Sequence, residues 1–330
     1  MEQIRVGIIG CGGIAQGHIQ RLGSMPGVSI TALVDPSEEW LATTRKQTAV
    51  AGSKEFGDYE DMLKAGITDA VLIASPHTCH FDQIMDSLDA GQHVLCEKPM
   101  VCSIDHAVKV IRKVNESGKT FGLSYQRHFA GSFRYIRRAI SEGVIGDLQF
   151  VSALQCQNWY LSQQGKWRQL LSLSGGGQLN DSGSHLIDII LWTTGKKVQS
   201  VAGFIDNMKT EVDINSALSM RFADGSQGNV SVVGNCPGWW EDLTFVGTRG
   251  AIYSRNGKIT QVNGETGEVA EFTHLPDAGN PDSNFINAIR GKEEVQAPAV
   301  CGLRVIELTE AAWNSAKQQG APVTVPVTDL

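Results

Sequence analysis

The stretch Val6–Ala15 reads Val-Gly-Ile-Ile-Gly-Cys-Gly-Gly-Ile-Ala, an apolar run that breaks into glycines and resumes as a helix-forming segment. Few folds accept that pattern. A strand that turns straight into a helix needs a residue without Cβ at the turn, here Gly10. It needs a second, Gly12, where bare backbone must approach something else. Ala15 keeps the helix close to the strand. The free N–H groups and positive end of that helix face what lies beyond the strand, and a phosphate suits them. The next apolar run, Val28–Val34, ends on Asp35, whose carboxylate is placed to accept ribose hydroxyls. Strand, G-x-G-x-x-A turn, helix, second strand and acid in this order predict a dinucleotide-binding unit. Gly10, Gly12, Gly13, Ile14, Ala15 and Asp35 are its cofactor-side residues.

The pattern continues. Apolar runs at Ile4–Ile9, Val28–Val34, Asp69–Ala74, Gln92–Cys96 and Thr120–Ser124 alternate with helical stretches near 13–24, 37–48, 58–64, 78–90 and 103–117. Most runs are continuously apolar, as strands covered on both faces must be. Gly91 and Gly118 stand where helices should end. Repeated βα units of this kind predict a doubly wound parallel sheet over residues 1–125. From Gln126 the rhythm changes. In Ser216–Phe222, Leu218, Met220 and Phe222 face one way, and Ser219 and Arg221 the other. That period of two marks a half-covered strand, usually antiparallel. Further strands are expected at 147–157, 198–205, 227–235, 241–247, 251–254, 258–263 and 268–273, and helices at 130–142, 178–193, 282–290 and 301–318. Residues 126–330 therefore read as an α+β domain on a large, mainly antiparallel open sheet. Its second face must meet solvent or another subunit.

The chain of 330 residues carries a formal net charge of −7, which weighs against nucleic acid and acidic membranes as partners. Its seven cysteines include no C-x-x-C pair, and no signal peptide is evident, so a reducing cytoplasm is expected. No apolar run approaches the roughly 20 residues of a membrane span.

Three constellations point to chemistry. Glu97-Lys98-Pro99 follows a strand directly, at the end where such sheets bind ligands, so Lys98 could polarise a substrate oxygen. Without that position it would read as a surface lysine before a turn proline. Gly175-Gly176-Gly177 leads into a segment where Asp181, His185 and Asp188 stand at i, i+4 and i+7, one face of the expected helix. Leu179, Leu186 and Ile190 would anchor its other face. His185 has the side chain suited to moving a proton, with a carboxylate to orient it, and a solvated Asp–His pair is the plainer reading. The triple glycine favours the chemical one, because it lets backbone approach a ligand. His77, Cys79 and His80 follow Ser75-Pro76 but lack a further ligand cluster, so they suit cofactor lining or helix packing and no metal is expected. Trp159, Tyr160, Trp167 and Arg168 offer ring faces and a guanidinium to a sugar or nucleotide, or anchor a loop. Trp239-Trp240 is read as packing or subunit contact.

Taken in order, Gly10–Ala15, Asp35, Ser75-Pro-His-Thr-Cys-His80, Glu97-Lys-Pro99 and Gly175–Asp188 resemble the Gfo/Idh/MocA oxidoreductase family. The resemblance spans essentially the whole chain. It implies an N-terminal Rossmann domain, a C-terminal α/β domain and dimer or tetramer contacts through the open sheet. It implies Lys98, Asp181 and His185 as the catalytic residues, with Trp167 and Arg168 reaching the cofactor beside Ser75, Pro76, His77, His80, Glu97 and Lys98 itself. Arg127, Trp159 and Tyr160 are carried as substrate-side candidates, although Gln126-Arg127 departs from the Asn-Arg pair common in the family. Asp35 would repel a 2′-phosphate, and no arginine or lysine follows it closely, so NAD is expected over NADP. The implied activity is hydride transfer between nicotinamide and a secondary alcohol of a sugar, inositol or related polyol. Two other readings keep the same parts: a redox-neutral, NAD-dependent glycoside hydrolase or lyase, and a non-catalytic dinucleotide-binding regulator.

Overall fold

Six short apolar segments pair side by side in parallel: β1 (Ile4–Ile9), β2 (Val28–Val34), β3 (Lys54–Phe56), β4 (Ala70–Ile73), β5 (His93–Cys96) and β6 (Phe121–Leu123). Their order in the sheet is β3-β2-β1-β4-β5-β6, the doubly wound order that reverses between β1 and β4. The connections carry α1 (Gly13–Gly23), α2 (Glu38–Thr44), α3 (Tyr59–Lys64), α4 (His80–Asp89) and α5 (Ile104–Ser117). Val6, Ile8, Leu33, Leu72 and Leu95 of the sheet pack with Ala15, Ile19 and Leu22 of α1. Each of these valine, leucine and isoleucine side chains, once buried, contributes about 2 kcal/mol. Gly91 and Gly118 close their helices at positive φ, as expected. The short edge strand β3 escapes a hydropathy reading because Lys54-Glu55-Phe56 is mostly polar.

The computed structural model describes residues 3–328, which divide into two units. The second unit contains α6 (Gly131–Ser141), β7 (Leu148–Asn158), α7 (Trp159–Ser162), α8 (Leu171–Ser174) and α9 (Gly183–Thr194). Strands β8 (Val198–Asp206), β9 (Asn215–Phe222), β10 (Gln227–Val233), β11 (Asn235–Gly247), β12 (Gly250–Arg255), β13 (Lys258–Asn263) and β14 (Val269–Phe272) follow. After α10 (Pro281–Ile289) and α11 (Ala299–Lys317), β15 (Val323–Thr324) completes a nine-stranded sheet in the order β14-β13-β12-β11-β7-β10-β9-β8-β15. Among the described residues of this sheet, only the β7–β10 pair is parallel. The alternation in β9 holds: Leu218, Met220 and Phe222 are buried while Ala217, Ser219 and Arg221 are exposed.

The chain does not divide at a single cut after residue 125. Cys102–Ile104 group with the second unit, and Gly279–Gly302 return to the first. That return begins at a well-made helix start, where Asn280 and Ser283 form a reciprocal capping box and Pro281 occupies the first turn. Phe285 and Ile286 of α10 enter the same core as β1 and α1, and the Leu123 N–H donates to the Ala297 carbonyl at 2.9 Å. Among the described residues, no helix is long and apolar enough to cross a membrane.

Candidate active site

Each unit carries its own part. In the first, Gly10 sits at φ +90°, and a Cβ there would lie 2.7 Å from the backbone of Ala74 and Ser75. The loops after β1 and β4 therefore touch at the point where the strand order reverses, the place where doubly wound sheets bind ligands. Gly12 precedes α1 with no side-chain cap, and a Cβ on Gly12 or Gly13 would meet nothing within 4 Å. Open space over an uncapped helix N-terminus fits a pyrophosphate. Ile14 is exposed on the same turn, and Ala15 is buried beneath it.

Asp35 is buried, and its two oxygens accept the Cys11 and Ser37 N–H groups, each at 2.8 Å. The carboxylate thus braces the glycine turn as well as ending β2. It keeps lone pairs for a ribose, since an ionised carboxylate accepts about four hydrogen bonds. Burial, with the Asp35 charge beside it, pushes the Cys11 thiol up to about 12, so this cysteine stays a protonated packing group.

Ser75-Pro76 leads into a short turn and then α4. The Ser75 hydroxyl donates to Gln83 at 2.5 Å, and His77 is buried edge-on to the His80 ring. His80 places Nδ1 2.8 Å from the Pro99 carbonyl and Nε2 3.0 Å from the Ser75 carbonyl. Its ring ties the loop after β4 to the loop after β5. Burial depresses its pKa against the pull of those carbonyls. Glu97, also buried, accepts the Lys98 N–H on Oε2 at 3.1 Å and faces His18 Nε2 from Oε1 at 2.9 Å. His18 in turn meets Asp282. Neither His18 nor Asp282 is flagged by any motif. A histidine between Ala15, Ile19 and Leu22 on the apolar face of α1 is the one local sign that a buried partner must exist.

In the second unit the candidates gather around Asp181. Its Oδ2 accepts the Trp159 indole N–H at 2.8 Å and Arg168 Nε at 3.0 Å, and the Arg168 guanidinium lies 4.4 Å from the centroid of Trp167. The Tyr160 carbonyl accepts from Gln169 at 2.7 Å, which ties α7 to the Trp167-Arg168 turn. Trp159, Arg168 and Asp181 thus form one cluster.

One expectation is corrected here. The helix starts at Gly183 and not at 178, so Asp181 stands in the preceding turn and shares no helical face with His185. Asp213, unmarked in the sequence, causes this. Its carboxylate accepts the Gly177 and Leu179 N–H groups at 2.9 and 2.6 Å and the Trp313 indole at 3.0 Å, fixing the turn. Burial raises the Asp213 pKa, and those same bonds oppose the rise.

The triple glycine also serves the chain itself. A Cβ on Gly177 would fall 1.9 Å from the Asp213 carbonyl oxygen, and one on Gly176 2.6 Å from the Trp313 ring. Asp188 pairs with buried His128 at 2.8 Å, beneath the Trp192 ring. Arg127, expected on the substrate side, forms an ion pair with Glu241. His185 lies half-buried in the first turn of α9, and Leu179, Leu186 and Ile190 anchor this region as expected.

Comparison with known proteins agrees with this architecture. Residues 4–125 match the model described as "Oxidoreductase family, NAD-binding Rossmann fold", and residues 133–253 match the GFO/IDH/MocA C-terminal domain. The chain is 28% identical over 293 residues to the rhizopine catabolism protein MocA of Rhizobium meliloti, covering 85% of this chain and 89% of that one. It is 25% identical over 285 residues to a Bacillus subtilis scyllo-inositol 2-dehydrogenase (NAD(+)), covering 84% and 81%. The WlbA dehydrogenase of Bordetella pertussis, solved with NADH and UDP-GlcNAcA, superposes with a TM-score of 0.84 at 23% identity, covering 99% of both chains. The chain belongs to the Gfo/Idh/MocA oxidoreductase family. It is an enzyme, an NAD(P)-dependent dehydrogenase or reductase.

Proposed function

We propose that the chain transfers hydride between NAD(H) and a secondary alcohol or ketone of a sugar, inositol or related polyol. One observation carries the reading. Gly10–Ala15, Asp35, Ser75 and Lys98 all lie beyond the carboxyl ends of β1, β2, β4 and β5, the ligand-binding edge of a doubly wound sheet. Relatives named for inositol substrates support the alcohol class.

In this reading the α1 N-terminus and Gly12 hold the pyrophosphate, and Asp35 holds the adenosine ribose. Ser75, Pro76 and the turn containing His77 and His80 line the nicotinamide side, with Trp167 and Arg168. Bound NAD supplies the hydride acceptor. His185 takes the hydroxyl proton and Lys98 polarises the same oxygen. Asp181, clamped by Trp159 and Arg168, orients the proton-transfer geometry or a neighbouring substrate hydroxyl. Tyr160 shapes the pocket beside Trp159. Arg127, paired with Glu241, stays a substrate-side candidate.

NAD is preferred to NADP because the Asp35 charge opposes a 2′-phosphate, and Arg45 of the following segment is already held by Glu38 and Glu55. Homodimer or homotetramer contacts belong on the open sheet face, where Phe204 of β8 is 69% exposed. The test is a polyol and sugar panel with NAD and with NADP, followed by reduced-nicotinamide absorbance. Stoichiometric NADH from a cyclic polyol or sugar is the expected result. Turnover without net nicotinamide reduction would overturn it.

A further inference from the structure

Buried at the heart of the first unit is a chain of charges the hydride-transfer reading does not use. His18 on α1 is 1% exposed, with Nδ1 2.6 Å from Asp282 Oδ1 and Nε2 2.9 Å from Glu97 Oε1. The outer oxygen of Asp282 accepts Arg21 Nε at 2.6 Å. The outer oxygen of Glu97 accepts the Lys98 N–H at 3.1 Å. A neutral imidazole has a single N–H, so one carboxylate would then face a ring lone pair at hydrogen-bond distance. Two acids on two ring nitrogens call for the imidazolium, donating both ways. With Arg21 the cluster holds two cations and two anions, and removing one member strands an uncompensated charge in the interior.

The elements so joined matter more than the bonds. α1 begins at the glycine turn, Glu97 directly follows β5, and Asp282 stands in the first turn of α10, 264 residues from His18. We propose that the Asp282–His18–Glu97 relay is a positioning device that fixes the backbone at Lys98 relative to the glycine-turn helix. Asp282 sets the charge on His18, His18 fixes the Glu97 carboxylate, and Glu97 holds the Lys98 N–H. His18 and Asp282 act through other residues and touch no reacting atom. The proposal rests on the reading that gives Lys98 its role on the substrate oxygen.

The charge state follows the same geometry. Burial works against a charged ring, but the bonds and charges of Asp282 and Glu97 outweigh it and raise His18 to about 9. Glu97 is held down to about 2, because the His18 bond and charge and the Lys98 charge overcome its own burial. Those two acids, with Arg21 on Asp282 and Lys98 on Glu97, are the charged groups that face the relay.

The test needs no substrate. Histidine-labelled protein is examined by long-range ¹⁵N NMR, and Lys98 is labelled with trace acetic anhydride across pH, read by mass spectrometry against exposed Lys64 of the same unit. In the unaltered protein His18 should carry protons on both nitrogens at neutral pH and titrate near 9. In Asp282→Asn its midpoint should fall by more than one pH unit. Lys98 labelling should rise about threefold or more relative to Lys64, while NAD affinity stays within about threefold. Uniform loosening would raise by a similar factor the labelling of Lys113, a lysine of the same unit whose side chain is only 21% exposed in its pair with Asp89, and that outcome overturns the proposal. A singly protonated His18 at neutral pH in the unaltered protein also overturns it, even if Asp282→Asn does not fold. If the relay behaves as expected yet Lys98→Ala retains turnover, the hydride-transfer assignment of Lys98 falls alone. If Lys98→Ala is inactive and Asp282→Asn leaves His18 and Lys98 unchanged, the relay falls alone.

Discussion

The indole N–H of Trp159 donates to Asp181 Oδ2 at 2.8 Å, and Arg168 reaches the same oxygen at 3.0 Å. One carboxylate oxygen thereby accepts two donors, which fixes the orientation of the Asp181 side chain. Trp159→Phe keeps an aromatic ring, though a smaller one, and removes one donor to a charged acceptor, a bond worth about 1.5–3 kcal/mol. The expected loss in kcat/KM is roughly 10- to 100-fold, with NAD affinity unchanged. Asp181→Asn should lose about 100-fold or more while its thermal midpoint stays within a few degrees. Steady-state kinetics beside a melting curve separates the two effects. Wild-type kinetics in both variants would remove Asp181 from the site.

Lys98 and His185 are expected to fail differently from the glycine turn. In the proposed reaction, Lys98→Ala withdraws the charge assigned to stabilise developing oxyanion character, and His185→Ala withdraws the assigned proton acceptor. Each should lower kcat by about 10²–10⁴, with NAD affinity within about threefold of the unaltered enzyme. Binding by fluorescence quenching and turnover by nicotinamide absorbance suffice. Turnover close to normal in both variants would sink the assignment.

Stability should fall on the alkaline side through His18. Its folded pKa of about 9 lies above the ordinary value of 6.5, so its stabilisation is complete below pH 6.5 and is lost as pH rises through about 9. The displacement corresponds to about 3 kcal/mol. Glu97 has the opposite sign. Its pKa is depressed to about 2, so its contribution is present above about pH 4.5 and disappears as pH falls through 2. Both displacements report largely the same ion pair, so they do not add. Urea unfolding from pH 5 to 10 should show the alkaline decline, and His18→Gln should flatten it. A parallel decline in His18→Gln would assign the effect elsewhere.

What the sequence discloses follows the range of the interactions. The glycine turn, Asp35 and the placement of Lys98 are local consequences of a strand meeting a helix, and they are legible within a few residues. The alternation in β9 is equally local. The turn that carries Asp181 is not. Spacing alone draws a helix through 178–193, but Asp213 binds the Gly177 and Leu179 N–H groups from 36 and 34 residues away and holds the chain in a turn until Gly183. Asp188 looks equivalent to Asp181 until His128, 60 residues distant, claims it. Arg127 is claimed by Glu241, 114 residues on. Each of these partners comes from a strand or loop whose position depends on the whole sheet. Charge pairing across such distances leaves no periodic trace.

The two glycines of the fingerprint should separate structure from ligand. At Gly10, φ is +90° and a Cβ would meet the backbone of Ala74 and Ser75 at 2.7 Å, and backbone cannot swing aside as a side chain can. Gly10→Ala should therefore cost about 2 kcal/mol or more in stability, before any ligand is added. At Gly12, φ is −66°, which any residue adopts, and a Cβ meets nothing within 4 Å. Gly12→Ala should fold with a thermal midpoint within a few degrees of the unaltered protein. Its methyl group would stand where the pyrophosphate must approach the backbone, so NAD affinity should fall about 100-fold. Calorimetric titration with NAD beside thermal unfolding of both variants decides the matter. If Gly12→Ala binds NAD normally, the pyrophosphate does not lie over this turn. If Gly10→Ala is as stable as the unaltered protein, the contact between the β1 and β4 loops is looser than its 2.7 Å approach implies.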